Sequence, residues 1–165
     1  MWNTIVPTLV GGGLAIIGGF AGIMLTTIVE RRNKRKSVAG ALGGEIGALI
    51  AIIERRRYLE VIDELIAEGE ETGARTAFGL VARQEYFVVF NAHASELGAL
   101  PPAAAQKVAR FYVMAKSFLE DATDAVEDTI PIDDAHRRLC DIRELLNEIL
   151  VLGRGLVAVL GTIAQ

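Results

Sequence analysis

The stretch VGGGLAIIGGFAGIMLTTIVERRNKRK, residues Val10–Lys36, decides the fold, because a glycine-rich run without charge ends abruptly against a basic block. The uncharged run begins earlier, at Thr4, and ends at Val29. A helix needs about 20 apolar residues to cross the hydrocarbon core of a bilayer. The run therefore predicts one transmembrane helix, with the transmembrane segment at residues 1–30.

The alternative to a retained span is a cleaved signal peptide. Such a peptide carries positive charge before its apolar region, and that region is shorter. Here the order is reversed, because the basic residues follow the apolar run and none precedes it. The order of these features favours a span that is kept in the mature protein.

The basic juxtamembrane segment, residues 31–36, predicts the orientation. Lys and Arg beside a span remain on the cytoplasmic side. We therefore expect the bacterial inner membrane, an N-terminus outside and a cytoplasmic remainder from residue 37 onward. A second role for these cations is contact with anionic lipid headgroups, which needs no specific ligand. The five residues are Arg31, Arg32, Lys34, Arg35 and Lys36.

The glycines of the run predict a packing face. Small residues allow membrane helices to approach closely, and G-x-x-x-G is the best-known spacing for such contacts. Gly18 and Gly22 have this spacing. The alternative is that glycine is simply commoner in membrane helices. The small residues that recur every three or four positions are Gly11, Ala15, Gly18, Gly19, Gly22 and Thr26.

Residues 37–165 predict a cytoplasmic antiparallel helical bundle, so the fold class is all-α. The apolar spacing predicts helices at about residues 37–69, 78–95, 102–127 and 133–163. We expect the first of these to continue the span as one helix from about Ile5 to Gly69, bent near Gly40–Gly44. A second span at residues 38–53 is rejected, because that stretch is short and contains Glu45.

No constellation of residues predicts an enzyme. The span has no side chain that could ligate a haem, and the two histidines, His93 and His136, stand alone. Asp133-x-x-His136 is a single copy of a motif that di-metal bundles use in pairs, with the wrong acid. Cys140 is the only cysteine and is expected to be structural. We therefore predict no catalytic residue, no metal, no cofactor and no small-molecule substrate.

Charge distribution narrows the partners further. The net charge of −4 gives no indication of nucleic-acid binding. The acidic stretch 120–134 lacks the pattern of a calcium loop. The triplet Arg55, Arg56 and Arg57 has two interpretations: local pairing with Glu54 and Glu60 along the helix, or docking of an acidic partner.

A middle segment resembles a known kind of protein. The sequence EYFVVFNAHASELGALPPAAAQKVARFYVMAKSFLED, residues 85–121, contains Phe90-Asn91, Leu97-Gly98-x-Leu100-Pro101 and Val108-x-x-Phe111-Tyr112. In this pattern it resembles small bacterial single-span membrane-anchored helical proteins that have no named function. The resemblance implies no activity. Physically, the pattern predicts a helix–turn–helix hinge closed by hydrophobic side chains, with Asn91 bonding the turn.

Three functions are compatible with these features. The first is a non-catalytic accessory or scaffold subunit of a larger bacterial membrane complex, whose partners are other membrane subunits, its own copies and lipids. The second is a self-associating pore-forming or phage-type membrane protein. The third is a domain that binds a small ligand between helices, which the absence of convergent polar residues disfavours. We expect the first.

Overall fold

The protein is all-helical over the residues that its computed structural model describes, which contain no β-strand. The backbone is described at residues 2–73, 78, 85–124 and 132–165. Side chains are described at residues 24–73, 78, 85–122 and 134–165. The predicted all-α class is confirmed for these residues.

Helix α1, Trp2–Arg55, is one continuous helix of 54 residues. It includes the glycine-rich run, the basic block and the first apolar part of the bundle. At ~1.5 Å per residue its length is about 80 Å. The helix also continues without a break through Gly40–Gly44, where we expected a bend.

The predicted uninterrupted helix to residue 69 is wrong, because α1 ends at Arg55 and α2, Tyr58–Thr72, follows after two turn residues. Arg57 has the left-handed conformation, with φ 53° and ψ 40°. For a residue with a Cβ this conformation costs about 1–2 kcal/mol. Neither glycine nor proline occurs between Glu54 and Glu60, so the local sequence does not predict the break.

The helix expected at residues 78–95 is also wrong in its bounds. Helix α3, Val88–His93, has only six residues and continues directly as the 3₁₀ helix Ala94–Ala99. Phe78 and residues 85–87 are not helical, and residues 79–84 lie outside the described part of the chain. Helices α4 and α5 are Pro102–Asp124 and Ile132–Ala164.

Helix α5 lies antiparallel along α1 and then along α2. In the pairs between these helices, the residue number increases along α1 and α2 while it decreases along α5. The pairs are Lys36 with Gln165, Glu54 with Arg154, and Asp63 with Arg143. One continuous helix, α5, therefore bridges the break at Arg56–Arg57. Helix α4 also packs on α5. The core that these helices share includes Leu42, Ile46, Ile62, Val108, Phe111, Leu139, Leu146, Ile149 and Leu156.

Close approach of these helices depends on Gly153 of α5. A Cβ at this position would lie 2.7 Å from Phe111 Cε2 and 2.8 Å from Ile50 Cδ1. Such distances are shorter than van der Waals contact. A side chain here would force Phe111 of α4 and Ile50 of α1 to shift, since both occupy the space beside the α5 backbone.

Two helical segments are long and apolar enough to cross a membrane, where the sequence interpretation expected one. They are Met24–Arg55 and Asp134–Ala164 among the residues with described side chains. Only 28% and 33% of their most apolar windows are buried inside the bundle. Both segments therefore leave much apolar surface unburied.

Candidate functional site

Glu45 organises the centre of the bundle, although sequence analysis assigned it no role. Its carboxylate is half-buried on α1 and accepts three hydrogen bonds. The Val89 and Phe90 backbone N–H groups donate at 2.7 and 3.0 Å, and the Tyr112 hydroxyl donates at 2.6 Å. One side chain thus ties α1 to the start of α3 and to α4.

Aromatic rings surround this carboxylate. The Tyr112 ring stacks on Phe90, with centroids 3.9 Å apart and planes 18° apart. Phe87 and Phe111 each meet Tyr112 edge-on, at 5.6 and 5.3 Å. These contacts join the aromatic residues of the segment 85–121 that we expected to form a hydrophobic closure. Asn91, expected to bond the turn, has an exposed side chain.

The environment of Tyr112 keeps its phenol protonated. Burial raises the pKa of Tyr112 above its ordinary value, and the hydrogen bond to Glu45 raises it further. The hydroxyl is therefore a permanent donor to the carboxylate at neutral pH. The sequence does contain a signal for this pair, because Glu45 is a lone carboxylate in the apolar run 38–53. A carboxylate that is buried there requires a hydrogen-bond partner.

The basic block lies where α1 meets the 3₁₀ helix and the end of α5. Lys34 pairs with Glu96 at 3.0 Å, and Lys36 donates to the backbone carbonyl of Gln165. The remaining cations of the block, Arg31, Arg32 and Arg35, are exposed and form no ion pair with any described carboxylate.

Glu96 connects the block to His93. His93 Nδ1 lies 2.8 Å from Glu96 Oε2, while Lys34 binds the other oxygen. The hydrogen bond to His93 lowers the pKa of Glu96, and the hydrogen bond from Lys34 adds to this effect. Lys34, Glu96 and His93 thus form a small charged cluster at the junction of α1 and the 3₁₀ helix.

The last turns of the predicted span are apolar and exposed. Met24, Leu25, Ile28 and Val29 have exposed fractions of 69, 64, 58 and 53%. Thr26 of the predicted packing face is exposed as well. The backbone of Gly11, Ala15, Gly18, Gly19 and Gly22 is helical, but their side-chain environment lies outside the described residues.

The arginine triplet lies at the break between α1 and α2, because Arg55 is the last residue of α1 and the next two residues form the turn. Its expected local ion pairs are absent from the described residues, because Glu54 instead binds Arg154 Nη2 at 2.6 Å. Arg56 donates through Nη1 to the Tyr58 hydroxyl at 2.7 Å. Arg55, Arg56 and Arg57 are all exposed.

The remaining candidates for chemistry do not converge. His136 Nε2 lies 3.8 Å from Cys140 Sγ and 3.9 Å from Glu70, so one ring nitrogen faces both groups. Cys140 is a half-buried free thiol. Within the described residues, no three His, Cys, Asp or Glu side chains are grouped to hold a metal. The side chain of Asp133 lies outside the described residues.

Comparison of the chain with protein-family models, with curated proteins and with solved structures finds no match.

Proposed function

We propose that this protein is a non-catalytic accessory or scaffold subunit of a bacterial membrane complex. In this proposal α1 anchors the helical bundle through one span and packs there against another membrane helix. The observation that carries the proposal is the row of exposed apolar side chains from Met24 to Val29. These side chains continue the uncharged run beyond the end of the bundle, where α5 no longer accompanies α1.

The length of α1 supports the choice of its first half as the span. A bilayer with its headgroups is about 40–45 Å thick, roughly half the length of this helix. The basic block divides the helix, so both apolar halves cannot occupy one bilayer without burying charged residues. The second half packs against α5, α3 and the 3₁₀ helix, which favours the first half as the segment in lipid.

Ion pairs along α5 support keeping Asp134–Ala164 outside the bilayer. Arg143 pairs with Asp63, and Arg154 pairs with Glu54, at two levels of the helix. Both pairs are partly exposed to solvent. If α5 crossed the bilayer, these charged side chains would lie in hydrocarbon, which is energetically costly. The second apolar helix then serves the bundle, and its small residues allow it to approach α1.

The experiment that tests the proposal measures what the span binds. The full chain is produced in its native membrane, extracted gently and examined by native mass spectrometry. Gly18→Leu together with Gly22→Leu should abolish co-migration of other membrane proteins, because larger side chains prevent close helix contact. Ile17→Leu together with Ile23→Leu, on the opposite face, is the matched control and should leave the complex intact.

Two results contradict the proposal. Survival of the complex in the Gly18→Leu, Gly22→Leu variant would show that the small residues do not form the contact. A ring of identical copies without other proteins would instead indicate the pore-forming alternative.

Orientation is tested separately by cysteine labelling. In a Cys140→Ser background, Asn3→Cys should react with a membrane-impermeant maleimide in sealed cells. Glu148→Cys, whose side chain is exposed on α5, should react only after the cells are opened. Labelling of Glu148→Cys in sealed cells would overturn the cytoplasmic placement.

A further inference from the structure

A small apolar cavity lies where α1, α2, α4 and α5 meet the segment before α3. Its volume is about 50 Å³. Apart from the hydroxyls of Tyr58 and Tyr86, all the lining side chains are hydrocarbon. The lining consists of Leu49, Ile52, Ile53, Tyr58, Tyr86, Phe87, Phe111, Ala115, Phe118, Leu119 and Ile149.

The cavity is suited to an apolar occupant rather than to water. A water molecule needs roughly 10–15 Å³ of such space and two to four polar partners. Space is available here, but the hydrocarbon walls offer no such set of partners, so the cavity favours an apolar occupant over ordered water. Filling it with hydrocarbon would restore dispersion contacts that the wall atoms now lack.

A cation lies beside this cavity. The Arg56 guanidinium donates to the hydroxyl of Tyr58, a wall residue, and its carbon lies 6.0 Å from the centroid of that ring. Tyr86, a second wall residue, is close enough to contribute to the raised pKa of Arg56, after the larger effect of Tyr58. Arg56 therefore lies next to the two tyrosines of the lining.

The charge of Arg56 is not balanced by the described part of the chain. No described carboxylate lies within ion-pair distance of Arg55, Arg56 or Arg57. The acidic residue just before them, Glu54, is occupied by both Nε and Nη2 of Arg154. All three arginines are exposed at the break, and Arg56 lies beside the wall residue Tyr58.

We propose that this cavity binds the hydrocarbon end of a small aliphatic carboxylic acid, whose carboxylate pairs with Arg56. Guanidinium and carboxylate form charge-assisted bonds of matching geometry. The cavity opens at the surface, so an aliphatic chain can enter it while the carboxylate stays beside Arg56. The inference is independent of the proposed membrane role.

The test uses 6,6,6-trifluorohexanoate and ¹⁹F NMR, with the full chain in lipid nanodiscs and empty nanodiscs as the blank. The ¹⁹F signal of the probe should broaden only when the protein is present, and this broadening should saturate as the probe concentration rises. 6,6,6-Trifluorohexylammonium, with the opposite charge, and trifluoroacetate, without the chain, should each bind at least tenfold more weakly.

Two variants locate the binding. Arg56→Gln removes the cation from an exposed position and should weaken binding at least tenfold. Ala115→Val narrows the cavity and should have a comparable effect, with the circular dichroism spectrum confirming the fold. Arg137→Gln, an exposed arginine on α5, is the matched control and should bind as the parent does.

Equal binding of the anionic and cationic probes, or unchanged binding in Arg56→Gln, overturns the proposal. Absence of saturable trifluorohexanoate binding by the folded protein also overturns it.

Discussion

The Tyr112 hydroxyl donates a 2.6 Å hydrogen bond to the Glu45 carboxylate, joining residues 67 positions apart in the sequence. The same carboxylate accepts two backbone N–H groups of the Val88–His93 helix. The three donors satisfy both oxygens of this partly buried carboxylate. These hydrogen bonds therefore connect α1, α3 and α4 directly.

We predict a measurable coupling free energy between Tyr112 and Glu45. Tyr112→Phe, Glu45→Gln and the double variant form a cycle, and the coupling free energy should be about 1–3 kcal/mol, as for hydrogen bonds to charged groups. Chemical denaturation in mild detergent measures each value. The exposed pair Arg110–Glu148, at 3.3 Å, is the control and should couple by less than about 1 kcal/mol. Equal couplings in the two cycles would contradict the central role of Glu45.

We predict that replacement by alanine has opposite effects on stability at Gly153 and Gly155, because only Gly153 is closely packed. Gly153→Ala should lower the free energy of unfolding by about 1–3 kcal/mol, because its methyl group would overlap Phe111 and Ile50. Gly155→Ala should leave it unchanged or raise it by up to about 1 kcal/mol, since alanine favours helix and nothing lies within 4 Å of the added Cβ. Thermal unfolding followed by circular dichroism compares the two. A stable Gly153→Ala variant would show that α4 is not held against α5 here.

The left-handed conformation of Arg57 predicts that glycine stabilises this position. Arg57→Gly relieves about 1–2 kcal/mol of backbone strain and loses about 0.5–1 kcal/mol through the flexibility of glycine. The free energy of unfolding should therefore rise by roughly 0.5–1 kcal/mol, the difference between these two effects. Glu64→Gly, at an exposed position inside α2, is the control and should lower it by about 1 kcal/mol. A loss of stability in Arg57→Gly would mean that the arginine side chain compensates the strain.

We predict that the contacts of Glu96 with His93 and Lys34 are lost at low pH. The pKa of Glu96 is lowered in the folded protein, chiefly by His93 and then by Lys34, from an ordinary value of 4.5. A lowered folded-state pKa means that the stabilising contribution is present above pH 4.5 and is lost as the pH falls through the folded-state value.

Carboxyl-carbon NMR measures the titration of Glu96 directly. Its midpoint should lie below 4.5, and both His93→Asn and Lys34→Gln should raise it. Arg137→Gln, remote from the cluster, should have no effect. A midpoint at or above 4.5 in the parent protein would show that the contacts of Glu96 are not maintained in solution.

Several features of this fold follow from local sequence. Helix formation depends on residue propensity and on apolar spacing of three and four positions, both of which are visible in one dimension. Pro102 begins α4 because proline is suited to the first turn of a helix. The contrast between Thr4–Val29 and the basic block predicts a membrane anchor on the same basis, because bilayer thickness and charge exclusion act on a single segment.

Other features depend on residues far apart in the chain. The backbone turns at Arg57, against its intrinsic preference, where α5 and the Tyr58–Phe78–Phe118 aromatic contacts impose a new direction on α2. Glu45 looks like an isolated charge until α3 and α4 supply its donors. The cavity beside Arg56 likewise exists only after five separate segments assemble.

The sequence alone therefore determined the helical class, the uncharged segment and the position of the cations beside it, because each depends on neighbours within a few turns. Only the tertiary structure decided where the long helix breaks, which carboxylate is buried and where space remains in the core. Those outcomes depend on whether side chains from distant helices fit together, and the energy of that fit exceeds the local preference of any one residue.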